Sequence, residues 1–283
     1  MPNKPVISVI IPAYNEEKYI AETLKSVLEQ DFKKPYEVIV VDNASTDKTS
    51  EIAESFKKVR VVFESHKGVT WAREKGFKES KAEILAYLDA DSLATPNWLS
   101  VIYKTFRENP ELIALSGLVY FYDWQSDFIG QFLANLFERR LVIEADRLIR
   151  KTLRKAEFLW GANFAVRKEA LKQAGGFNKN IKFYGEDTEL SLRLAKVGKM
   201  KFVREMVVYT SARRFKEGRF SNSLVHFAGY LKELFFTTPL ESKGKRKKIF
   251  SFRRYIFKES LKDKKLSFEA VKKLGRFRKK RNR

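Results

Sequence analysis

The sequence predicts an α/β fold in which helices cover both faces of a mostly parallel sheet. Its first hundred residues alternate short apolar runs with segments of helical periodicity, in the order β-α-β-α-β-α-β. The runs are rich in β-branched residues and apolar at nearly every position, which is typical of parallel strands buried on both faces. This alternation requires crossover connections, which in parallel sheets are right-handed.

The elements of the first half follow from these patterns in order. Strands are predicted at residues 6–14, 37–42, 59–64 and 83–91, where Val and Ile dominate. Helices are predicted at 16–30, in the segment that follows the second strand and ends at Phe56, and at 69–79. In these segments apolar residues recur every three to four positions. Asp47 or a neighbour is expected to cap the second helix, and Thr95-Pro96 to be the N-cap and first position of a fourth.

The second half is less regular. A strand is predicted at 112–122, and the helical spacing at 127–152 predicts a long amphipathic region with one charged face. A strand-like segment at 159–167 precedes a helix at 168–174, and two adjacent glycines predict a turn at 175–177. A helix is predicted at 186–197, ended by Gly198, followed by short strands at 201–203 and 207–209.

Composition bounds the class of protein. With 283 residues, of which 44% are hydrophobic, the chain can build a sizeable core. It contains no cysteine, which excludes disulfides, thiolate nucleophiles and cysteine-ligated zinc. The sequence has neither a signal-peptide pattern nor an apolar run long enough to span a bilayer, so we expect a cytoplasmic protein.

Most of the positive charge lies in the last part of the sequence. The net charge is +22, and residues 241–283 hold 19 Lys and Arg against 4 Asp and Glu, a local net charge of +15. We therefore divide the chain into a domain at 1–218 and a helical, strongly basic extension at 219–283. Basic residues interleaved with aromatic ones favour contact with an anionic membrane surface, but they also suit nucleic acid or a solvated terminus.

Acidic residues follow the predicted strands at the edge where such sheets bind ligands. Asp89 and Asp91 follow a buried strand, and paired carboxylates can hold Mg²⁺ or Mn²⁺ together with phosphate oxygens. Asp42 ends another strand, where a carboxylate can bind a nucleobase or simply stabilise a turn. Glu186 and Asp187 begin a helix, and the helix dipole stabilises acidic side chains in a first turn. A carboxylate held there can also take a proton from a hydroxyl.

The first strand turn lacks the glycines of dinucleotide-binding and P-loop proteins, which argues against a dehydrogenase or a P-loop enzyme. The ordered motifs instead resemble those of the family 2 glycosyltransferases, which have the Rossmann-like GT-A fold. The resemblance extends over residues 6–214. The motifs are PAYNEE (12–17), VVDNASTD (40–47), KGxxxARxxGF (67–77), YLDAD (87–91), GAN (161–163) and GED (185–187).

The resemblance implies an enzyme that moves a sugar from a nucleotide-diphosphate donor, UDP- or GDP-linked, to a hydroxyl acceptor with inversion. It implies a divalent cation at Asp91 and Asp89, the family's D-x-D motif, with Asp187 as catalytic base and Glu186 assisting. The donor-binding residues it implies are Pro12, Tyr14, Glu16, Asp42, Arg73, Asp89 and Arg214. The acceptor side would comprise Trp160, Gly161 and Asn163, although Trp160 can equally be a core aromatic.

Arg213 and Arg214 lie where some family members carry a basic residue in a loop that closes over the diphosphate. Many relatives act on lipid-linked acceptors, so the resemblance also implies peripheral attachment to the cytoplasmic face of a membrane. A polyprenyl-phosphate acceptor is the alternative within this class, since such an acceptor needs no base. Three different functions stay open: a sugar-1-phosphate nucleotidyltransferase, an inactive nucleotide-sugar-binding relative and a nucleic-acid-binding protein that uses the basic tail.

Overall fold

The computed structural model describes residues 4–123, 157, 159–181 and 185–213. The elements in this part of the chain are β1 (Ile7–Ala13), α1 (Ile20–Leu28), β2 (Tyr36–Asp42), α2 (Thr49–Glu54), β3 (Val59–Phe63), α3 (Val69–Glu79), β4 (Ile84–Leu88), β5 (Ser92–Ala94), α4 (Trp98–Glu108), β6 (Leu112–Phe121), β7 (Asn163–Arg167), α5 (Lys168–Gln173), α6 (Glu186–Val197) and β8 (Lys199–Thr210).

The described strands form one sheet in the order β3-β2-β1-β4-β7-β6-β8-β5. The first four strands in this order are parallel, as the sequence predicts, so their carboxyl ends share one edge. β7 runs antiparallel to both of its neighbours, whereas β6 and β8 pair in parallel. The sheet is therefore mixed, and its direction first changes beside β4, the strand that precedes Asp89 and Asp91.

Helices cover both faces of this sheet, which confirms the predicted layering. Helices α1, α2 and α4 contribute buried residues to a core on one face, including the fully buried Trp98. Helices α3, α5 and α6 pack on the other face, where Tyr87 of β4 stacks on Phe164 of β7. Alternate residues of β1, such as Val9 and Ile10, belong to opposite cores, as expected for a strand buried on both sides.

The glycine of the KGxxxARxxGF motif brings α3 close to this sheet. A Cβ at Gly76 would lie 2.3 Å from Ile10 Cγ2 and 3.3 Å from Val41 Cγ2. The close approach seats α3 directly on β1 and β2. It therefore fixes the position of Arg73, one turn earlier on the same helix.

Two local predictions are wrong. Helix α4 begins at Trp98, not at Pro96, and the Thr95 hydroxyl donates to the Val207 carbonyl at 3.1 Å instead of capping the helix. The two strands expected after residue 200 form the single strand β8, in which the register shifts against β6 between Gly117 and Leu118. This irregularity falls at the break that separates the two predicted strands.

Several predictions fall outside the described residues. They concern the helical region at 127–152, the basic extension at 219–283 and Arg214. Within the described ranges, none of the helices has the length and apolar character that crossing a bilayer requires.

Candidate functional site

The loops after β1 and β2 form one hydrogen-bonded unit at the parallel edge of the sheet. Asn15 adopts the left-handed conformation with φ of 54°, and its side-chain oxygen accepts from the Thr46 N–H at 2.8 Å. In return, its N–H donates to Ser45 Oγ at 3.1 Å. The Glu17 N–H donates to Asp47 Oδ2 at 3.1 Å. These contacts hold the PAYNEE and VVDNASTD motifs against each other.

The residues expected to bind the donor base lie on this unit. Asp42 ends β2, is 5% exposed and accepts from the Ser45 N–H at 3.2 Å. Pro12 lies near the end of β1, and Tyr14 follows it with 45% of its surface exposed. The Lys67 ammonium lies 5.0 Å from the centre of the Tyr14 ring. The structure thus places a buried carboxylate at the end of β2, level with the end of β1, after which the exposed Tyr14 follows.

Asn43 organises the neighbouring loop, a role that we did not predict from the sequence. Its side-chain amide donates to the carbonyl oxygens of Glu64 and His66 at 3.0 and 2.7 Å, and its oxygen accepts from the Gly68 N–H at 2.7 Å. Gly68 has φ of 137°, a conformation that favours glycine. The contacts fix the turn that leads into α3.

Arg73 on α3 connects the end of β4 with the first turn of α6. The side chain is 3% exposed, and its guanidinium donates to Glu186 Oε1 at 3.2 Å, Asp89 Oδ1 at 3.4 Å and the Gly161 carbonyl at 2.9 Å. Burial alone would lower the pKa of Arg73, but the nearby carboxylates of Asp89, Glu186 and Asp187 outweigh that effect and raise it. Arg73 is therefore a permanent cation around which three of the predicted site carboxylates gather.

Gly161 allows this arrangement because it has no side chain. A Cβ at this position would lie 2.9 Å from Arg73 Nη2. Beneath the guanidinium, the Phe164 ring lies 5.9 Å from the Arg73 Cζ atom. The motifs ARxxGF, GAN and GED thus meet at one buried guanidinium, although they are far apart in the chain.

Asp91 belongs to a second ion-paired cluster. It is 6% exposed, and its Oδ1 accepts from the Thr210 hydroxyl at 3.2 Å. Its Oδ2 accepts from Arg213 Nε at 3.1 Å, while a terminal nitrogen of Arg213 contacts Glu16 Oε1. Glu16 comes from the loop after β1, so this cluster joins that loop to the end of β8. We expected Arg213 near a diphosphate from its sequence position, but its pairing with Asp91 was not foreseen.

Glu186 and Asp187 occupy the first turn of α6. Gly185 precedes them with φ of 88°, and this left-handed conformation requires the glycine of the GED motif. Asp187 Oδ1 accepts from the Thr188 N–H at 2.7 Å. Glu189, also acidic and nearby, pairs with Arg193 at 2.7 Å and so stabilises the helix. The acids of this turn therefore divide into a pair near Arg73 and a third with a structural partner.

The Asn163 side chain is enclosed in the core, which contradicts its predicted place at the acceptor side. It is fully buried, its oxygen accepts from Trp98 Nε1 at 2.9 Å, and its amide donates to the carbonyls of Leu118 and Met206 at 2.8 and 2.9 Å. Its side chain holds together β6, β7 and β8 and is unavailable to a ligand. Trp160 is half-buried and packs against Phe202, so the structure gives it a core contact.

We expect Gly117→Ala to destabilise this junction. A Cβ at Gly117 would lie 2.0 Å from the Met206 carbonyl oxygen and 2.6 Å from Asn163 Nδ2, and backbone at that distance cannot easily move aside. The free energy of unfolding should fall by about 1–3 kcal/mol. Urea denaturation measures it, with Gly198→Ala as the matched control, because the atoms nearest to a Cβ there belong to the Ile113 side chain, the first at 2.9 Å, and a side chain can move aside. Equal losses in both variants would contradict this explanation.

Asp89 and Asp91 carry carboxylate oxygens, the type of ligand that a divalent cation accepts together with phosphate oxygens. Mg²⁺ in such sites takes one or two carboxylates, substrate oxygens and waters. The Asp89 side chain is 26% exposed, which leaves it open to a ligand. Among the described residues there is no cluster of three or more His, Cys, Asp or Glu that could enclose a metal.

Solved structures establish the fold class. A mannosyltransferase from Pyrobaculum calidifontis, in complex with GDP-Man and Mn²⁺, matches with a TM-score of 0.59, covering 82% of this chain and 65% of that one at 24% identity. Residues 1–349 of S. aureus TarS, in complex with UDP-GlcNAc, match with a TM-score of 0.58, covering 77% and 60% at 22% identity. The predicted GT-A-type fold is confirmed.

The family follows from the sequence match. The model described as "Glycosyl transferase family 2" matches residues 8–175, and the chain belongs to this family. A relative, the glucosyl-dolichyl phosphate glucuronosyltransferase of Haloferax volcanii, is 24% identical over 180 residues, which are 62% of this chain and 56% of that protein. The chain spans about half the length of the curated relatives it matches. The GED motif and Arg213 lie beyond the matched residues.

Proposed function

We propose that this chain transfers a sugar from a UDP- or GDP-linked donor to a hydroxyl acceptor, with a divalent cation and with inversion at the anomeric carbon. One observation carries the proposal. The buried guanidinium of Arg73 contacts Asp89, from the end of β4, and Glu186, from the start of α6. The carboxylates proposed to face the leaving group and the acceptor therefore contact the two terminal nitrogens of one guanidinium, and this shared cation supports their action in a single displacement.

Each residue then has a definite part in the reaction. Asp42, with Pro12 and Tyr14, binds the base and orients the donor. When bound, a divalent cation held by Asp89 and Asp91 would offset the charge that develops on the departing diphosphate. Asp187 takes the proton of the acceptor hydroxyl as its oxygen forms a bond to the anomeric carbon and the bond to the diphosphate breaks. Arg73 keeps Asp89 and Glu186 in place during this step.

The runner-up is transfer to a polyprenyl phosphate. The Haloferax volcanii relative is named for a glucosyl-dolichyl phosphate, a lipid that already carries a sugar, so its name supports a lipid-linked glycan as the hydroxyl acceptor more than a bare polyprenyl phosphate. A phosphate oxygen is already anionic, so in that reaction Asp187 would not be needed as a base. Attachment of the basic extension at 219–283 to an anionic membrane would suit either acceptor and stays a prediction.

Nucleotide binding tests the donor and the metal together. We expect UDP or GDP, in a panel with ADP and CDP, to bind at least about tenfold more tightly with Mn²⁺ than with a chelator, because the cation bridges carboxylate and diphosphate oxygens. Asp91→Asn should remove this difference, and isothermal titration calorimetry measures it. Asp31→Asn serves as the control, since Asp31 is exposed and contacts Ser100 away from the site.

The possible outcomes separate the parts of the proposal. If the nucleotide affinity does not respond to the chelator, the proposal that a divalent cation takes part in donor binding is wrong. Failure of every nucleotide in the panel to bind, with or without Mn²⁺, would contradict the donor class.

A further inference from the structure

Arg213 places its guanidinium between two carboxylates at the edge of the sheet. Nε donates to Asp91 Oδ2 at 3.1 Å, and a terminal nitrogen contacts Glu16 Oε1. The Asp91 and Glu16 side chains are 7% and 9% exposed, and that of Arg213 is 17% exposed. The Tyr19 ring lies 4.6 Å from the guanidinium carbon. The cation is thus enclosed by two acids and an aromatic ring.

Electrostatics holds this cation in place. Burial alone would lower the pKa of Arg213, but hydrogen bonding and charge from Glu16 and Asp91 outweigh it, and the pKa is raised. Two carboxylates so far out of water need positive charge nearby, because desolvation penalises each ion. Arg213 supplies that charge from a position three residues after β8 ends.

We infer that Arg213 is a built-in counter-cation for the metal site, and that a divalent cation must displace its guanidinium from Asp91 to bind. The inference rests on the proposed role of Asp91 as a metal ligand. Asp91 Oδ1 is held by Thr210, so the exchange concerns Oδ2, the oxygen that Arg213 now contacts. Guanidinium and a divalent cation are alternative partners for the same oxygen.

This competition has a measurable consequence. A ligand binds more weakly when its site is available only part of the time, and its association constant is multiplied by the available fraction. If Asp91 Oδ2 is free about one tenth of the time, affinity for the cation alone is about tenfold weaker than for the open site. The chain would then hold its cation poorly before the nucleotide arrives.

Manganese binding to the nucleotide-free protein tests the inference. Free Mn²⁺ is counted by electron paramagnetic resonance during titration of the wild type, Arg213→Met and Arg213→Lys. We expect Arg213→Met to bind Mn²⁺ about tenfold more tightly than the wild type. Arg213→Lys, which keeps the charge, should stay close to the wild type. The double variant Arg213→Met/Asp91→Asn should lose the gain.

Arg60→Met is the matched control. Arg60 also joins two carboxylates, with Nη1 at 3.0 Å from Glu79 and Nη2 at 3.4 Å from Glu37, but away from the site. Its removal should leave Mn²⁺ affinity unchanged. A gain as large as that of Arg213→Met would mean that freeing any carboxylate pair suffices, and it would overturn the inference.

Thermal denaturation gives a second readout. In chelator, Arg213→Met should melt below the wild type, and Mn²⁺ should raise its melting temperature by more than it raises that of the wild type. Arg213→Gln, which is also neutral, replaces the Met variant if that variant does not fold, with the same expected results.

Two results would overturn the inference in distinguishable ways. If Arg213→Met binds Mn²⁺ no better than the wild type, while Asp91→Asn still removes metal-dependent nucleotide binding, the competition is wrong and the metal site stands. If none of the proteins binds Mn²⁺, with or without UDP or GDP, the counter-cation role and the proposed metal both fail.

Discussion

Replacing Asp187 with asparagine is expected to slow transfer to a hydroxyl acceptor by about 10²–10⁴-fold, the usual contribution of a general base. The variant should fold normally, because asparagine has the same shape and its oxygen can still accept from the Thr188 N–H, at 2.7 Å in the structure. The asparagine amide cannot take the proton of the acceptor hydroxyl at neutral pH. Donor affinity should be nearly unchanged, since Asp187 is not among the proposed donor-binding residues.

Initial rates at saturating donor, with nucleotide affinity measured separately by calorimetry, separate these effects. Glu189→Gln is the control from the same turn of α6, because Glu189 pairs with Arg193 and has no part in the proposed reaction. Full activity of Asp187→Asn toward a hydroxyl acceptor would show that the assignment of the base is wrong. Full activity toward a polyprenyl phosphate, with no hydroxyl transfer by the wild type, would favour the lipid phosphate as acceptor.

The sequence pattern predicted those helices and strands whose formation depends on residues close together in the chain. Helix α3 spans Val69–Glu79, the bounds predicted from its spacing, and the parallel strands follow the apolar runs closely. Because carboxyl ends of parallel strands share an edge, the prediction that Asp42 and Asp91 lie at one edge needed only strand direction. Strand β5 has three residues and pairs with the distant β8, so it has too few residues to show a period.

Long-range side-chain contacts leave no such pattern. Arg213 and Asp91 are 122 residues apart, and nothing in the spacing of either indicates their pairing. Asn163 shows the opposite error, since a short polar motif was read as part of a ligand surface. The burial of Asn163 depends on the irregular pairing of β6 with β8, which brings the Leu118 and Met206 carbonyls to its amide. A sequence motif indicates that a polar group is required but not whether the group faces a ligand or the core.

Arg73→Met is expected to have the largest effect on stability of any single substitution considered. The buried guanidinium contacts the carboxylates of Asp89 and Glu186, and its removal deprives both of this cation. Breaking a buried ion pair by removing one partner costs about 3–5 kcal/mol. We expect a loss of that size in the free energy of unfolding, together with loss of nucleotide binding. Urea denaturation measures the first and calorimetry the second.

Arg60→Met provides a closely matched comparison for this loss. Each of the two arginines contacts two carboxylates and one backbone carbonyl, but the Arg60 side chain is 35% exposed and that of Arg73 is 3% exposed. Water can replace the partner of an exposed ion, so Arg60→Met should cost no more than about 1 kcal/mol. Similar losses in the two variants would mean that burial is not what makes Arg73 important.

A double-variant cycle then tests whether unpaired charge causes the loss of stability in Arg73→Met. Glu186→Gln removes one of the two carboxylates that Arg73 contacts, so it should recover part of the stability lost in Arg73→Met. In the wild-type background the same substitution should destabilise, because the guanidinium loses an ionic acceptor at 3.2 Å. If the two losses simply add, Arg73 stabilises the fold through its other contacts, which include the Gly161 carbonyl and Phe164, and not through the charge of Glu186. The proposal that it holds the leaving-group and acceptor carboxylates together would then lose its physical basis.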